Sequence, residues 1–294
     1  MYKIVAIDLD GTMLTPYGTV TENTKEKIKQ TIDQGTDVII ATGRPVIAYL
    51  KNLASEIGSK NYFIAGNGAM IYDIKQDKTI YKKYLTKDKV LDIVKICEEN
   101  SIFFNVYTEN SIITKSLQYN ALYYNKENLK REENKRIHIN IVENIYEYIK
   151  NMEEEDFLKI TICDETQAIF NSIINKMRTI KDVEVLDVSH MSRKIIKQGT
   201  QEISIEYFYT EVSRAGVDKW YALEYLMENL RIKKEEVITI GDNINDLKMI
   251  QNAGIGIAMG ESTPILKKEA DYVTADNSSE GVAEALEKYI INNN

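Results

Sequence analysis

Lys3-Ile4-Val5-Ala6-Ile7-Asp8-Leu9-Asp10-Gly11-Thr12 is the stretch on which the reading of this chain turns. Ile4, Val5, Ala6 and Ile7 form an unbroken apolar run, which predicts a strand buried on both faces, as in a parallel sheet. Asp8 and Asp10 leave its carboxyl end separated by Leu9, and Gly11 lets the chain turn sharply. Ligands of open α/β sheets bind at that end of the strands. Two carboxylates in one loop repel unless a cation lies between them or one is protonated. Such a pair can supply a nucleophile and a proton donor. Taken alone, the stretch also fits a solvated strand-end turn.

The same grammar continues outward. Thr21 starts a helical pattern with Ile28 and Ile32 on one face and Gly35 as its stop. Asp37-Val38-Ile39-Ile40-Ala41 predicts a second buried strand, and Tyr62-Phe63-Ile64-Ala65 a third. Between them, Pro45 opens a helix that Gly58 closes. The pattern then changes, with helices expected at 88–99, 116–131, 141–152 and 165–180. Strands are expected there at 102–108, 111–115, 157–163 and 183–188. From 198 the first pattern returns: strands at 203–209, 237–241, 255–259 and 271–274, helices at 219–230, 246–252, 263–268 and 280–291. The expected architecture is α/β. A Rossmann-like parallel-sheet core with helices on both faces (1–83 and 198–294) is interrupted by an inserted α/β domain (84–197). A length of 294 residues agrees with two domains.

Composition narrows the function classes. The chain is 44% hydrophobic and 28% charged, as in ordinary globular proteins. No apolar run approaches the roughly 18 residues a spanning helix needs, and the start reads as a strand without a signal peptide. A cytoplasmic protein off the membrane is expected. Cys97 and Cys163 lie in apolar stretches without metal-type spacing and read as buried free thiols. His138 and His190 have no partner at ligand spacing and read as structural or surface residues. The stretch from Tyr119 to Lys135, rich in Asn, Lys and Tyr, reads as an exposed helix or mobile loop. A net charge of −8 disfavours nucleic acid as a partner. It also requires any attraction for an anionic substrate to be local. Oligomeric state is not legible in the sequence.

Three further stretches carry chemistry. Ala41-Thr42-Gly43-Arg44 joins a strand to a helix, where a hydroxyl and backbone N–H groups make an anion site, although a Thr there can also be a cap. Gly241-Asp242-Asn243-Ile244-Asn245-Asp246 follows the strand Val237-Ile238-Thr239-Ile240 and concentrates oxygen donors suited to a hard cation, beyond what a helix cap requires. Lys219 starts an amphipathic helix and in isolation would read as a solvated charge. A parallel sheet brings all the strand-end stretches to one edge. Asp8, Asp10, Asp242 and Asp246 then cluster, and Mg²⁺ with Lys219 would offset their repulsion and make the site attractive to phosphate.

Taken in order, these four stretches resemble the motifs of haloacid dehalogenase phosphatases. They are most similar to the Cof-type branch, which carries a large α/β (C2B-type) cap between the second and third motifs; Asn67-Gly68-Ala69 also resembles that branch. The resemblance implies Asp8 as nucleophile and Asp10 as general acid, then base. Thr42, Gly43, Lys219 and Asn245 would hold phosphate. Asp8, the backbone carbonyl of Asp10, and Asp242 would bind Mg²⁺, with Asp246 in support. Two features depart from the pattern: Trp220 stands where a small residue is usual, and the stretch from Arg193 to Gln201 is longer. Trp220 reads as a packing residue; Arg44 could pair with a carboxylate near the site or bind substrate, and the structural role is the one expected.

The implied activity is Mg²⁺-dependent hydrolysis of a small phosphorylated metabolite, a sugar phosphate or phosphorylated cofactor, through an aspartyl-phosphate. No catalytic motif lies in the insertion, so discrimination between leaving groups is assigned to it. A phosphoacceptor regulatory module and a phosphoryl-transfer mutase are the alternatives, separable by turnover and by product analysis.

Overall fold

A computed structural model describes residues 2–129, 131–133, 136–153, 156–186, 191–198 and 201–293; of 191–198, 201–205 and 293 only the backbone is described. His190 lies outside the described residues. The chain divides into two compact units. The first comprises Met1–Arg44, Leu50–Lys82 and Val217–Asn294, the second Pro45–Tyr49 and Lys83–Gly216.

The first unit is built on β1 (Ile4–Ile7), β2 (Asp37–Ala41), β3 (Tyr62–Ala65), β4 (Met70–Asp73), β5 (Lys78–Lys82), β13 (Val237–Gly241), β14 (Ile255–Ala258) and β15 (Tyr272–Val273). Their order across the sheet is β15-β14-β13-β1-β2-β3-β4-β5. From β15 to β3 every pairing is parallel. The apolar runs explain this, because a parallel strand is covered on both faces. Ile4, Ala6, Ile39, Ala41 and Ile64 pack with Trp220, Leu223 and Leu226 of α7 (Lys219–Leu230). The alternate residues Val5, Ile7, Val38 and Ile40 are buried on the opposite face. Trp220, 5% exposed, is thus a core residue, as its apolar surroundings require. β4 and β5 form an antiparallel hairpin that the sequence pattern does not announce. Its outer strand, Lys78-Thr79-Ile80-Tyr81-Lys82, is half-exposed and lacks a long apolar run.

α1 (Glu22–Asp33) begins where expected: Thr21 Oγ1 accepts from Thr24 N, and Gly35 follows with a φ of 88°. α2 (Ile47–Ile57) ends before Gly58.

The second unit contains β6 (Phe103–Thr108), β7 (Ser111–Thr114), β8 (His138–Ile141), β9 (Phe157–Asp164), β10 (Val183–Val185), β11 (Met191–Gln198) and β12 (Gln201–Arg214). They run β10-β12-β9-β6-β7-β8, with β11 paired to β12. α3 (Lys87–Glu99) and α6 (Gln167–Met177) bury Val90, Ile93, Val94, Cys97, Phe170 and Ile173 against Val106, Ile160 and Val212 of the sheet. Both cysteines are free and buried, and desolvation pushes the Cys97 thiol upward. α4 (Tyr119–Leu129) is the helix of the Asn/Lys/Tyr-rich stretch, and α5 (Ile145–Lys150) buries Ile145 and Ile149.

One expectation is corrected here. The strand at 203–209, assigned to the core, belongs to β12 and pairs antiparallel with β9 at Phe208–Val212. The second unit therefore extends to Gly216, not to 197. The reason is visible in Ile203-Ser204-Ile205-Glu206-Tyr207. Its alternation suits an antiparallel strand, whereas the core strands are continuous apolar runs.

Candidate active site

Parallel pairing aligns the carboxyl ends of three strands. Ile7 stands beside Ile40 in β2 and Ile240 in β13, so the residues that follow leave the sheet side by side. Asp8 continues the ladder, its N–H donating to the Ile240 carbonyl at 3.0 Å. The chain then folds back on itself: Met13 N donates to Asp8 O at 3.2 Å and Leu14 N to Leu9 O at 2.9 Å. Gly11 has a φ of 86°, and a Cβ there would lie 2.3 Å from Asp242 Oδ2. Only glycine lets these two loops approach so closely.

Asp246 organises the loop after β13. It is fully buried. Its Oδ2 accepts from the backbone N–H groups of Asp242 and Asn243 at 3.0 and 3.1 Å, and its Oδ1 accepts from Lys219 Nζ at 2.6 Å. Lys219 donates equally to Asp8 Oδ1, also at 2.6 Å. Far from being a solvated charge, its side chain is entirely buried. Burial disfavours its ammonium, but Asp246 and Asp8 more than offset this and its pKa rises. Thr12 Oγ1 donates to Asp242 Oδ1 at 3.0 Å. One carboxylate oxygen from each of Asp8, Asp242 and Asp246 lies within 4.8 Å of the others. Desolvation and the neighbouring carboxylates push Asp8 well above the usual carboxylate range, against the pull of Lys219. Desolvation, then Asp246, raises Asp242 to about 7.

Asp10 takes a different position. Its carboxylate receives a two-pronged grip from Arg44, Nε to Oδ2 at 2.8 Å and Nη2 to Oδ1 at 2.6 Å. Arg44 is 9% exposed, whereas the Asp10 side chain is 61% exposed. A buried guanidinium thus holds an accessible carboxylate, the partnership expected for Arg44. Thr42 is fully buried and its hydroxyl accepts from Arg44 N at 3.1 Å. Gly43 packs against Asn67, and Asn245 Nδ2 donates to Asn67 Oδ1 at 3.0 Å. Gly68 lies against the first turn of α7, where Asp218 Oδ1 caps Trp220 N at 2.8 Å.

Asp8, Asp242, Asp246 and Lys219 therefore meet directly, and Thr42, Gly43 and Asn245 are joined through Asn67 and its backbone. Thr12 and Asn67 belong to quoted motifs, but sequence reasoning assigns them no role of their own. A hydroxyl and an amide at strand ends signal only a turn until their partners are known.

A family model described as haloacid dehalogenase-like hydrolase matches residues 5–286. The chain belongs to the haloacid dehalogenase-like hydrolases. A 5-amino-6-(5-phospho-D-ribitylamino)uracil phosphatase of Bacillus subtilis is 25% identical to this hydrolase over 98% of its chain and 96% of the relative. A pyridoxal phosphate phosphatase of Escherichia coli is 23% identical over 98% and 99%. The crystal structure of a haloacid dehalogenase-like hydrolase from Bacteroides thetaiotaomicron is 25% identical, with a TM-score of 0.78 over 98% and 99% of the two chains. The expected α/β fold with a cap domain and the expected phosphatase class both agree with these relatives. No helix among the described residues is long and apolar enough to cross a membrane.

Proposed function

We propose that this hydrolase is a Mg²⁺-dependent phosphatase that cleaves a small phosphorylated metabolite, a sugar phosphate or phosphorylated cofactor, through an aspartyl-phosphate on Asp8. The observation that carries the reading is Asp8 itself. It stands buried at the end of β1, 2.6 Å from Lys219 and within 4.8 Å of two further carboxylates. Relatives named for a ribitylaminouracil phosphate and for pyridoxal phosphate support a small organophosphate as substrate.

Asp8 attacks phosphorus, forming an acyl-phosphate bond as the ester oxygen departs, and Asp10 gives that oxygen its proton. Asp10, now ionised, takes a proton from water, which attacks the same phosphorus; the bond to Asp8 breaks and phosphate leaves. Arg44 fixes the orientation of the Asp10 carboxylate through two hydrogen bonds. The Thr42 hydroxyl, the Gly43 N–H, Lys219 and the Asn245 amide hold phosphate oxygens.

Three clustered carboxylates fit a hard divalent cation better than they tolerate one another. Asp8, Asp242 and the Asp10 carbonyl would hold Mg²⁺. Asp246, with both oxygens already engaged, would support them. When bound, Mg²⁺ supplies positive charge that makes this acidic site receptive to phosphate.

Asp8→Asn should retain less than about a hundredth of nitrophenyl phosphate turnover, as removal of a covalent nucleophile does. Excess chelator should abolish activity and added Mg²⁺ restore it. A variant keeping a tenth of wild-type turnover would exclude Asp8 as nucleophile, and full activity in chelator would exclude the metal.

A further inference from the structure

Asn67 stands between two loops that the proposed reaction uses, in a conformation few residues adopt. It lies just past β3 with φ 57° and ψ 29°, the left-handed region that asparagine tolerates better than most side chains. Its backbone N–H donates to the Thr42 carbonyl at 3.0 Å. Its side chain rests on Gly43, where a Cβ would lie 2.8 Å from Asn67 Oδ1. The same oxygen accepts from Asn245 Nδ2 at 3.0 Å. One residue thus ties the loop after β2 to the loop after β13.

A carboxamide carries donors on one side and an acceptor on the other, and half a turn exchanges them. Asn245 can serve a phosphate only with its NH₂ group toward the anion; flipped, its carbonyl would repel it. A neighbour that accepts one of the two N–H groups selects the useful orientation. We propose that Asn67 is a positioning residue for phosphate: it accepts one Asn245 N–H, leaves the other for the anion, and sets the spacing between Asn245 and Gly43. This rests on the assignment of Asn245 and Gly43 to phosphate. It explains why an asparagine occupies a strained position that glycine would fill without cost: the backbone needs the left-handed turn, and the site needs the acceptor.

The test uses the full-length chain with Mg²⁺, reading inhibition by inorganic phosphate together with KM and kcat for nitrophenyl phosphate. Asn67→Gly keeps the backbone conformation and removes the amide. Asn245→Ala should weaken phosphate about tenfold or more, as a lost hydrogen bond to a charged group does. Asn67→Gly should weaken it about three- to tenfold, acting on KM more than on kcat. The double variant should be no worse than Asn245→Ala within about twofold, because one residue acts through the other. A residue that merely supports the fold would lower the melting temperature and kcat, and the two losses would multiply. Asn67→Asp keeps the size and the acceptor but adds a charge beside the anion, so its loss should ease with salt. Wild-type phosphate inhibition in Asn67→Gly beside an impaired Asn245→Ala, or multiplying losses, overturns the proposal. An unimpaired Asn245→Ala overturns the assignment beneath it, and the proposal with it.

Discussion

Asp242 keeps a proton to near neutral pH in the metal-free protein, because burial and Asp246 raise its pKa from 3.8 to about 7. A raised carboxyl pKa means that the native state holds the proton more tightly than the unfolded chain. Stability from this group is therefore full at low pH and falls as pH rises from about 4 to about 7. Asp242→Asn cannot ionise, so it should gain on the wild type across that window in melting experiments with chelator. Mg²⁺ needs the ionised carboxylate, so the rise in Tm that it gives the wild type should grow over the same interval. Parallel melting curves for the two proteins from pH 4 to pH 8 would refute this account of Asp242. Lys219 is the counterpart: one ammonium, wholly buried, serving two carboxylates on separate loops.

At the scale of elements, the site is a set of loops held against one another by backbone approach. Gly68, with a φ of 98°, is the clearest case. A Cβ there would lie 2.1 Å from the Asp218 carbonyl and 2.9 Å from Lys219 N. The turn after β3 thus sets where α7 begins, and with it where Lys219 enters the carboxylate cluster. Gly68→Ala should destabilise the protein by more than about 1 kcal/mol, from positive φ and collision together. It should also lower kcat, because α7 must shift to admit the methyl group. A variant that melts and turns over as the wild type does would show that α7 is placed by other contacts.

For the whole molecule, the extent of the inserted unit has a consequence. Residues 83 and 216 adjoin, with Lys83 Nζ donating to the Gly216 carbonyl at 2.7 Å. A short Gly/Ser joint from Lys82 to Val217 should therefore leave a folded core that hydrolyses nitrophenyl phosphate, since every proposed catalytic residue lies in the first unit. A joint from Lys83 to Gln198 would instead leave β12 without its β9 and β10 partners. That strand would present unpaired edges, and aggregation is expected. Circular dichroism and sedimentation of both truncations decide the matter. A soluble, active core from the longer piece beside an unfolded shorter one would reverse the assignment of β12.

Much of this was legible in sequence because it depends on local pattern. Ile4–Ile7 is apolar without interruption, and Asp37–Ala41 and Val237–Gly241 nearly so; such strands suit a parallel sheet covered on both sides. Parallel strands in turn put Asp8, Thr42 and Asp242 at one edge. What sequence could not determine depends on partners distant along the chain. Whether 203–209 joins the core sheet or pairs with β11 and β9 is a choice of hydrogen-bonding partner that one strand's own residues express only weakly. Lys219 reads as a surface charge until Asp8 and Asp246, 211 and 27 residues away, close around it. Asn67 reads as a turn residue until Gly43 and Asn245 meet its side chain. Periodicity and turn chemistry are properties of neighbouring residues, so sequence alone settled the parallel strands of the core and the loops that carry the chemistry. Burial, pairing and pKa arise from charges and backbones brought together over long loops, so tertiary structure alone decided which side chain in those loops holds which.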